Sequence, residues 1–522
     1  MHRPAATAAT LARLARLALP TAALLAIGCR TSPTATPPAA REATVPELRR
    51  DLYAFAADSF LGRETGTEAA DRAARFLADR LRALGVEPAG DSGYFQRVPL
   101  MRGGYGPGTH FEVARTGGGT PLALGTDLVP LPSLGRGTAP PRLHAEGELT
   151  YLGYVSGPNA AGSNGAGEGD VAGKVVVLVN GAPPGTAPAE RASLEAEGRI
   201  GPRLRELLPL KPAAVIVLTE GKSAEFVGQL ARRLTLESGD GLSVGEPDSA
   251  RTLPMILLGP ARPGSPLLPE GWPERGAPGP LAGRRFSARV DNAFTAVNVV
   301  GVVRGRDAAL NGSYVAYGAH YDHIGVQHGV AGDSIANGAD DDASGSVTLL
   351  ALARLFTERA RPRRSVLFVW HVGEEEGLLG SDWFTTHPTV PIDSIVAQIN
   401  ADMIGRNAPD SIYIVGPNAA PNGQSRILGQ VLDSVNAARA QPFLVNREWD
   451  SPTHPEQIYF RSDHFNYARR GVPIVFVTTG LHADYHRVTD EPDKIDYGKL
   501  ARVAMLMNDA GRALADRPTR PR

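Results

Sequence analysis

Tyr314-Val-Ala-Tyr-Gly-Ala-His-Tyr-Asp-His323 and Ser365-Val-Leu-Phe-Val-Trp-His-Val-Gly-Glu-Glu-Glu-Gly377 decide the fold. Each is a short apolar run that ends in metal-binding residue types and leads into a segment of helical periodicity. Similar runs recur at Val299–Val303, Ile395–Ala401, Ile412–Val415 and Pro473–Thr478, with helical patterns near 344–359, 376–386, 425–439 and 497–515. Alternation of this kind predicts an α/β layer structure with a mostly parallel mixed sheet flanked by helices. In such sheets, sites form beyond the carboxyl ends of the strands.

Working outward, two amphipathic helices are expected near 46–57 and 66–84, the second stopped by Gly85. Between about 100 and 290 the texture changes to apolar runs at Leu149–Val155, Lys174–Asn180, Ala213–Leu218 and Leu253–Leu258, set among Gly- and Pro-rich stretches. One helix, near 200–208, interrupts them. This pattern predicts a separate β-rich unit over 140–285, inserted between 44–100 and 290–518. At the start of the chain, Arg3, Arg13 and Arg16 precede an apolar run that ends at Gly28-Cys29 and is too short to cross a bilayer. The segment 1–29 reads as an export signal, and 30–43 as a flexible linker. Cys29 is the only cysteine, so no disulfide framework exists. The net charge of -1 over 522 residues excludes a global basic field for nucleic acid.

The chemistry lies at the ends of the runs. His320 and Asp322 follow the first; taken alone they also fit a surface loop, although Asp322 is placed to accept the second ring N–H of His320. Asp340, Asp341 and Asp342 precede a helix, where three adjacent carboxylates suit either a cation or a solvated acidic turn. Glu374 and Glu375 open another helix, a place where acids are common for the dipole alone. Asp402 ends an apolar strand and needs a partner. His486 lies in His482-Ala-Asp-Tyr-His-Arg487. Together, two histidines and three carboxylates near strand ends form a mixed nitrogen and oxygen set suited to two zinc ions, with one carboxylate able to bridge them.

Five blocks, GAHYDHIG (318–325), GADDDASG (338–345), GEEEGLLGS (373–381), INADMIG (399–405) and DYH (484–486), resemble the M28 family of zinc metallopeptidases in order and spacing. Phe60-Leu-Gly-Arg-Glu-Thr-Gly-Thr67 resembles that family's leading segment. The resemblance implies a zinc-peptidase (phosphorylase/hydrolase-like) fold, and the insert 140–285 resembles a protease-associated (PA) domain. It implies His320 and Asp402 on one zinc, Glu375 and His486 on the other, and Asp341 as the bridge, so the cofactor is two Zn2+ per chain. Glu374 is then the general base and Tyr485 polarises the substrate carbonyl. Asp322 and Asp342 support the ligands, and the Asp341–Asp342 peptide bond is expected to be cis. His323, His464 and His482 are the competing histidines, with His482 the nearest rival of His486. Asp463 is a candidate contact for a substrate amine.

The implied activity is that of a metalloaminopeptidase that removes N-terminal residues from peptides with a free N-terminus. A carboxypeptidase, an N-acyl amino-acid amidohydrolase and a catalytically silent peptide-binding protein are the alternatives. The Gly28-Cys29 junction resembles a bacterial lipoprotein signal. Export follows, with Cys29 lipidated and the protein anchored at the outer membrane or periplasmic side; without lipidation it is secreted.

Overall fold

The computed structural model describes residues 42–521 except 103–104, 106–107, 132–143, 156–167, 195–199, 222–226, 228, 230–241, 246–253, 275–276, 292 and 328–331. The export signal, Cys29 and nearly all of the linker lie outside the described residues. No helix among those described is long and apolar enough to cross a membrane.

The larger sheet is mixed. Its centre is the parallel set Ser365–His371, Tyr314–His320, Ile395–Ala401 and Ile474–Thr478, in that spatial order. All four are buried on both faces, which explains their unbroken apolar character in sequence. Antiparallel strands extend both edges: Ala293–Val303 and Phe95–Met101 on one side, Ser411–Val415 on the other, where Leu444–Asn446 pairs parallel with it. Val45–Phe55, Glu68–Ala83, Gly345–Glu358 and Tyr497–Ala515 cover one face, through residues such as Leu52, Leu77, Leu352 and Met507. Phe384 and Tyr467, from Leu379–Thr386 and His464–Arg469, pack on the other. Thr67 caps its helix by accepting the Ala70 N–H at 3.3 Å, and Gly85 ends the same helix at φ 69°.

Register does the positioning. His320 pairs with His371, and Gly318 with Asn400, so three parallel strands stop at one edge and hand the chain to three loops there. Loops leaving one edge of a parallel sheet have their side chains within reach of one another.

A second sheet has the order Gly118–Leu122, His110–Arg115, Gly279–Arg289, His144–Tyr154, Val175–Asn180, Ala214–Thr219, Met255–Pro260 and Val129–Pro130. It therefore starts about His110, upstream of the expected boundary at 140. The early strands are short: burial alternates only over the start of His110–Arg115, and Gly118–Leu122 is exposed nearly throughout, which leaves a weak apolar signal. The link with the first sheet is also closer than an insert with clean borders: Ser243–Val244 pairs with Phe95–Met101.

Candidate metal centre

The loop after Tyr314–His320 presents His320, buried, with its Nε2 3.1 Å from Asp341 Oδ1 and 3.6 Å from Asp402 Oδ1. Asp341 comes from the loop that opens the helix Gly345–Glu358, and its peptide bond to Asp342 is cis. Its second oxygen, Oδ2, lies 3.3 Å from His486 Nε2, which is itself 2.9 Å from Glu375 Oε2. One carboxylate thus reaches both histidines, with Asp402 on one side and Glu375 on the other. Glu374 Oε2 is 3.9 Å from His320 Nε2.

His320 Nε2, Asp341 Oδ2 and Asp402 Oδ1 are buried and make no hydrogen bond. Buried polar atoms left this way cost about 1–3 kcal/mol each unless something else meets them. Two compact donor groups satisfy the spacing a metal ion needs: His320, Glu374 and Asp402, and His323, Asp341 and Glu375. The charge balance points the same way. Burial should depress His486, yet its bonds to Asp341 and Glu375 prevail and push it up to about 10. His320 is likewise raised against its own burial by the charges of Glu374 and Asp402. The carboxylates draw positive charge, and imidazole and carboxylate donors are those that zinc accepts. The residues present fit a pair of divalent ions.

Glu374 has its proton affinity raised by burial and by Glu375, Asp402 and Asp463, against the opposing charge of His320. A buried carboxylate tuned upward suits proton transfer near neutrality. It lines a cleft with Asp341 and Asp402; Met403, Trp449, Ile458, Phe476 and Leu481 form apolar walls. Tyr485 and Arg461 also line it, and the Arg461 Nη2 donates to the Tyr485 hydroxyl at 3.1 Å.

The surrounding loops are held by buried polar contacts. Arg63, fully buried, donates to the carbonyls of Tyr321, Asn337 and Gly338 and so ties the His320 loop to the Asp341 loop. Asp490 accepts the N–H groups of Asp340 and Asp341 at 3.0 and 3.1 Å. Asp484 accepts from Arg406, Thr489 and Lys494, which hold its carboxyl well below the usual range and fix the turn carrying Tyr485 and His486. His486 adopts φ 55°, a conformation that costs about 1–3 kcal/mol in a non-glycine residue and persists where the surroundings enforce it.

Two expectations change, those for Asp322 and for Asp463. The near acceptor for His320 Nδ1 is the Asp322 carbonyl at 3.1 Å, with the Asp322 carboxylate at 3.8 Å. That carboxylate is drawn instead to Thr65 Oγ1 at 3.0 Å and the Glu374 N–H at 3.3 Å. Asp463 is buried 3.2 Å from His371 Nδ1, a placement for bracing the floor rather than meeting a substrate amine. His482 lies 3.3 Å from Asp340 Oδ2, turned away from the histidines around Asp341. Asp342 accepts the N–H groups of Gly345 and Met403, linking its loop to the residue after Asp402. Sequence reading weighed His323 only as a competing histidine and missed that it meets Glu375; Arg461 was given no role at all.

The model of Peptidase family M28 matches residues 298–510. Over 202 residues the chain is 31% identical to a probable leucine aminopeptidase of Trichophyton verrucosum (strain HKI 0517), covering 37% of this chain and 52% of the relative. Over 238 residues it is 28% identical to leucine aminopeptidase 1 of Arthroderma otae (strain ATCC MYA-4605 / CBS 113480), covering 43% of this chain and 60% of that one. The chain thus spans little more than half the length of these curated relatives. A solved aminopeptidase from Aneurinibacillus sp. strain AM-1 aligns with a TM-score of 0.45 and 17% identity, over 92% of this chain and 96% of its own.

Proposed function

We propose, from the premise that residues 298–510 belong to peptidase family M28, that this chain is a two-zinc aminopeptidase acting on peptides with an apolar N-terminal residue. The observation that carries the reading is the Asp341 carboxylate, with one oxygen 3.1 Å from His320 and the other 3.3 Å from His486. His320 and Asp402 would hold one ion, Glu375 and His486 the other, and Asp341 both. Such ions, when bound, supply Lewis-acid charge that lowers the pKa of a water and stabilises a developing oxyanion.

The chain's own residues do the rest. Glu374 takes the proton of the attacking water and returns it to the leaving amine nitrogen. Because Tyr485 Oη already accepts from Arg461, its own proton is free to donate to the scissile carbonyl oxygen. Trp449, Ile458 and Phe476 offer an apolar side chain a dry wall. Arg461 is the residue that favours the carboxypeptidase reading. The pattern of residues 3–29 supports export with a lipid on Cys29, and the insert is read as a protease-associated domain.

Free-amine and N-acetylated aminoacyl chromogenic substrates, assayed with chelator and with zinc restored, test this reading. Cleavage of the free-amine set only, lost with chelator and regained with zinc, is expected. Cleavage confined to the N-acetylated set would overturn it in favour of the carboxypeptidase or amidohydrolase.

A further inference from the structure

We infer that His323 is a positioning residue for Glu375, dividing that carboxylate so that one oxygen is held by the protein and the other is presented at the paired site. This rests on the two-ion reading above. His323 Nδ1 lies 2.6 Å from Glu375 Oε1, while Glu375 Oε2 lies 2.9 Å from His486 Nε2. The two oxygens therefore have different partners, and the shorter contact is to the imidazole outside the set of five. A carboxylate on the glycine-flanked turn Gly373-Glu-Glu-Glu-Gly377 has few restraints of its own. An N–H donor fixed at one oxygen sets the rotation of the group and so the direction of the other.

The imidazole is fixed in turn. Its ring is buried, and its carbon edge lies against Gly338, where an added Cβ would come within 2.5 Å of Cδ2. Gly338 has φ 54°, so that close approach is built into the backbone. The ring stands edge-on to His486, with centroids 5.8 Å apart at 69°. Nδ1 is 3.9 Å from Asp341 Oδ2, beyond hydrogen-bond range, so Glu375 is its partner. His323 follows His320 by three residues on the loop leaving the same strand, so one turn of chain sets both an inner imidazole and the support of a carboxylate on the neighbouring loop.

Zinc titration of the full chain against a chromophoric chelator tests this without reference to turnover. The wild type should bind about two ions, as a paired site requires. His323→Leu, which keeps the bulk and removes the donor, should weaken one of them by about 10–100-fold and leave the other unchanged. His323→Asn places an amide N–H near the position of Nδ1 and should recover most of the loss. Unchanged affinities in His323→Leu overturn the inference, as does an equal loss in both variants. Fewer than two ions in the wild type would sink the paired site itself, and that is seen before any variant is made. If His323→Leu does not fold, cadmium-113 loading of the histidine-15N-labelled wild type decides the matter. Scalar coupling to His320 and His486 alone supports positioning, and coupling to His323 makes it a ligand and overturns the inference.

Discussion

Asp450 and Asp341 are both buried aspartates on loops at the larger sheet, and they are treated in opposite ways. Asp450 accepts the backbone N–H groups of Gly416, Asn418 and Ala419 at 2.8–3.1 Å, with Arg447 3.5 Å away. Asp341 has ring nitrogens at 3.1 and 3.3 Å, and its Oδ2 makes no hydrogen bond. Fixed main-chain donors complete a carboxylate and leave it inert. Imidazoles are Lewis bases once deprotonated, so the oxygens and nitrogens around Asp341 can all turn toward a cation. Burial therefore does not separate a structural acid from a chemical one; the kind of partner does.

Substituting each aspartate gives the largest test of that contrast. Asp341→Asn should abolish tight zinc binding at one or both positions and bring peptide hydrolysis to background. Zinc should then raise its unfolding midpoint less than it does for the wild type, where each ion contributes about 4 kcal/mol when present at a thousand times its Kd. Asp450→Asn should lower stability by about 1–3 kcal/mol with or without zinc, because an amide cannot accept all of those N–H groups. Its zinc increment should match the wild type. Loss of zinc binding in Asp450→Asn, at a temperature where it is folded, would erase the distinction.

Glu374→Gln sharpens the contrast within the cleft, where the proposed reading makes Glu374 the base and Glu375 a ligand. The rate should fall by about 10^2–10^4-fold, as for removal of a general base, while the zinc content stays at the wild-type value. If the variant loses an ion instead, the roles of Glu374 and Glu375 must be exchanged.

Much of this was legible in the sequence. Ile395–Ala401 is a seven-residue strand with no exposed position, and Asp402 after it stood out because an acid there needs a partner. His320, Glu374 and Glu375 followed similar runs, so a strand-end rule sufficed to gather them. The aspartate that reaches both histidines and the choice of His486 over His482 came from family resemblance. Spacing could not decide between them, because a turn sets which histidine faces inward. Arg63 was hidden for another reason: a basic residue after a short helix looks solvent-facing, and only the three carbonyls it meets explain its complete burial. Asp463 misled because an acid beside a serine and a histidine resembles a binding loop, and its partner His371 is 92 residues away in sequence.

The same contrast holds for imidazoles, where the expected effect is smaller. His486, among carboxylates, is pushed up to about 10, whereas His464 is pushed down to about 4 by burial, with its bond to the Tyr459 carbonyl opposing. His464 stacks on Phe476, which lines the cleft, at 4.6 Å. Between about pH 6.5 and 4 the unfolded chain binds a proton at this residue that the folded chain refuses. Stability must therefore fall as the pH drops through that window, by about 3 kcal/mol in all. His464→Phe retains an aromatic ring against Phe476 and loses the bond to Tyr459, a deficit of about 1 kcal/mol at pH 7. Urea unfolding of the chelated proteins should show that deficit shrinking on acidification and reversing before pH 4. Parallel stability curves would mean that His464 titrates alike in both states, and that its burial, unlike that of the groups around Asp341, carries no electrostatic consequence.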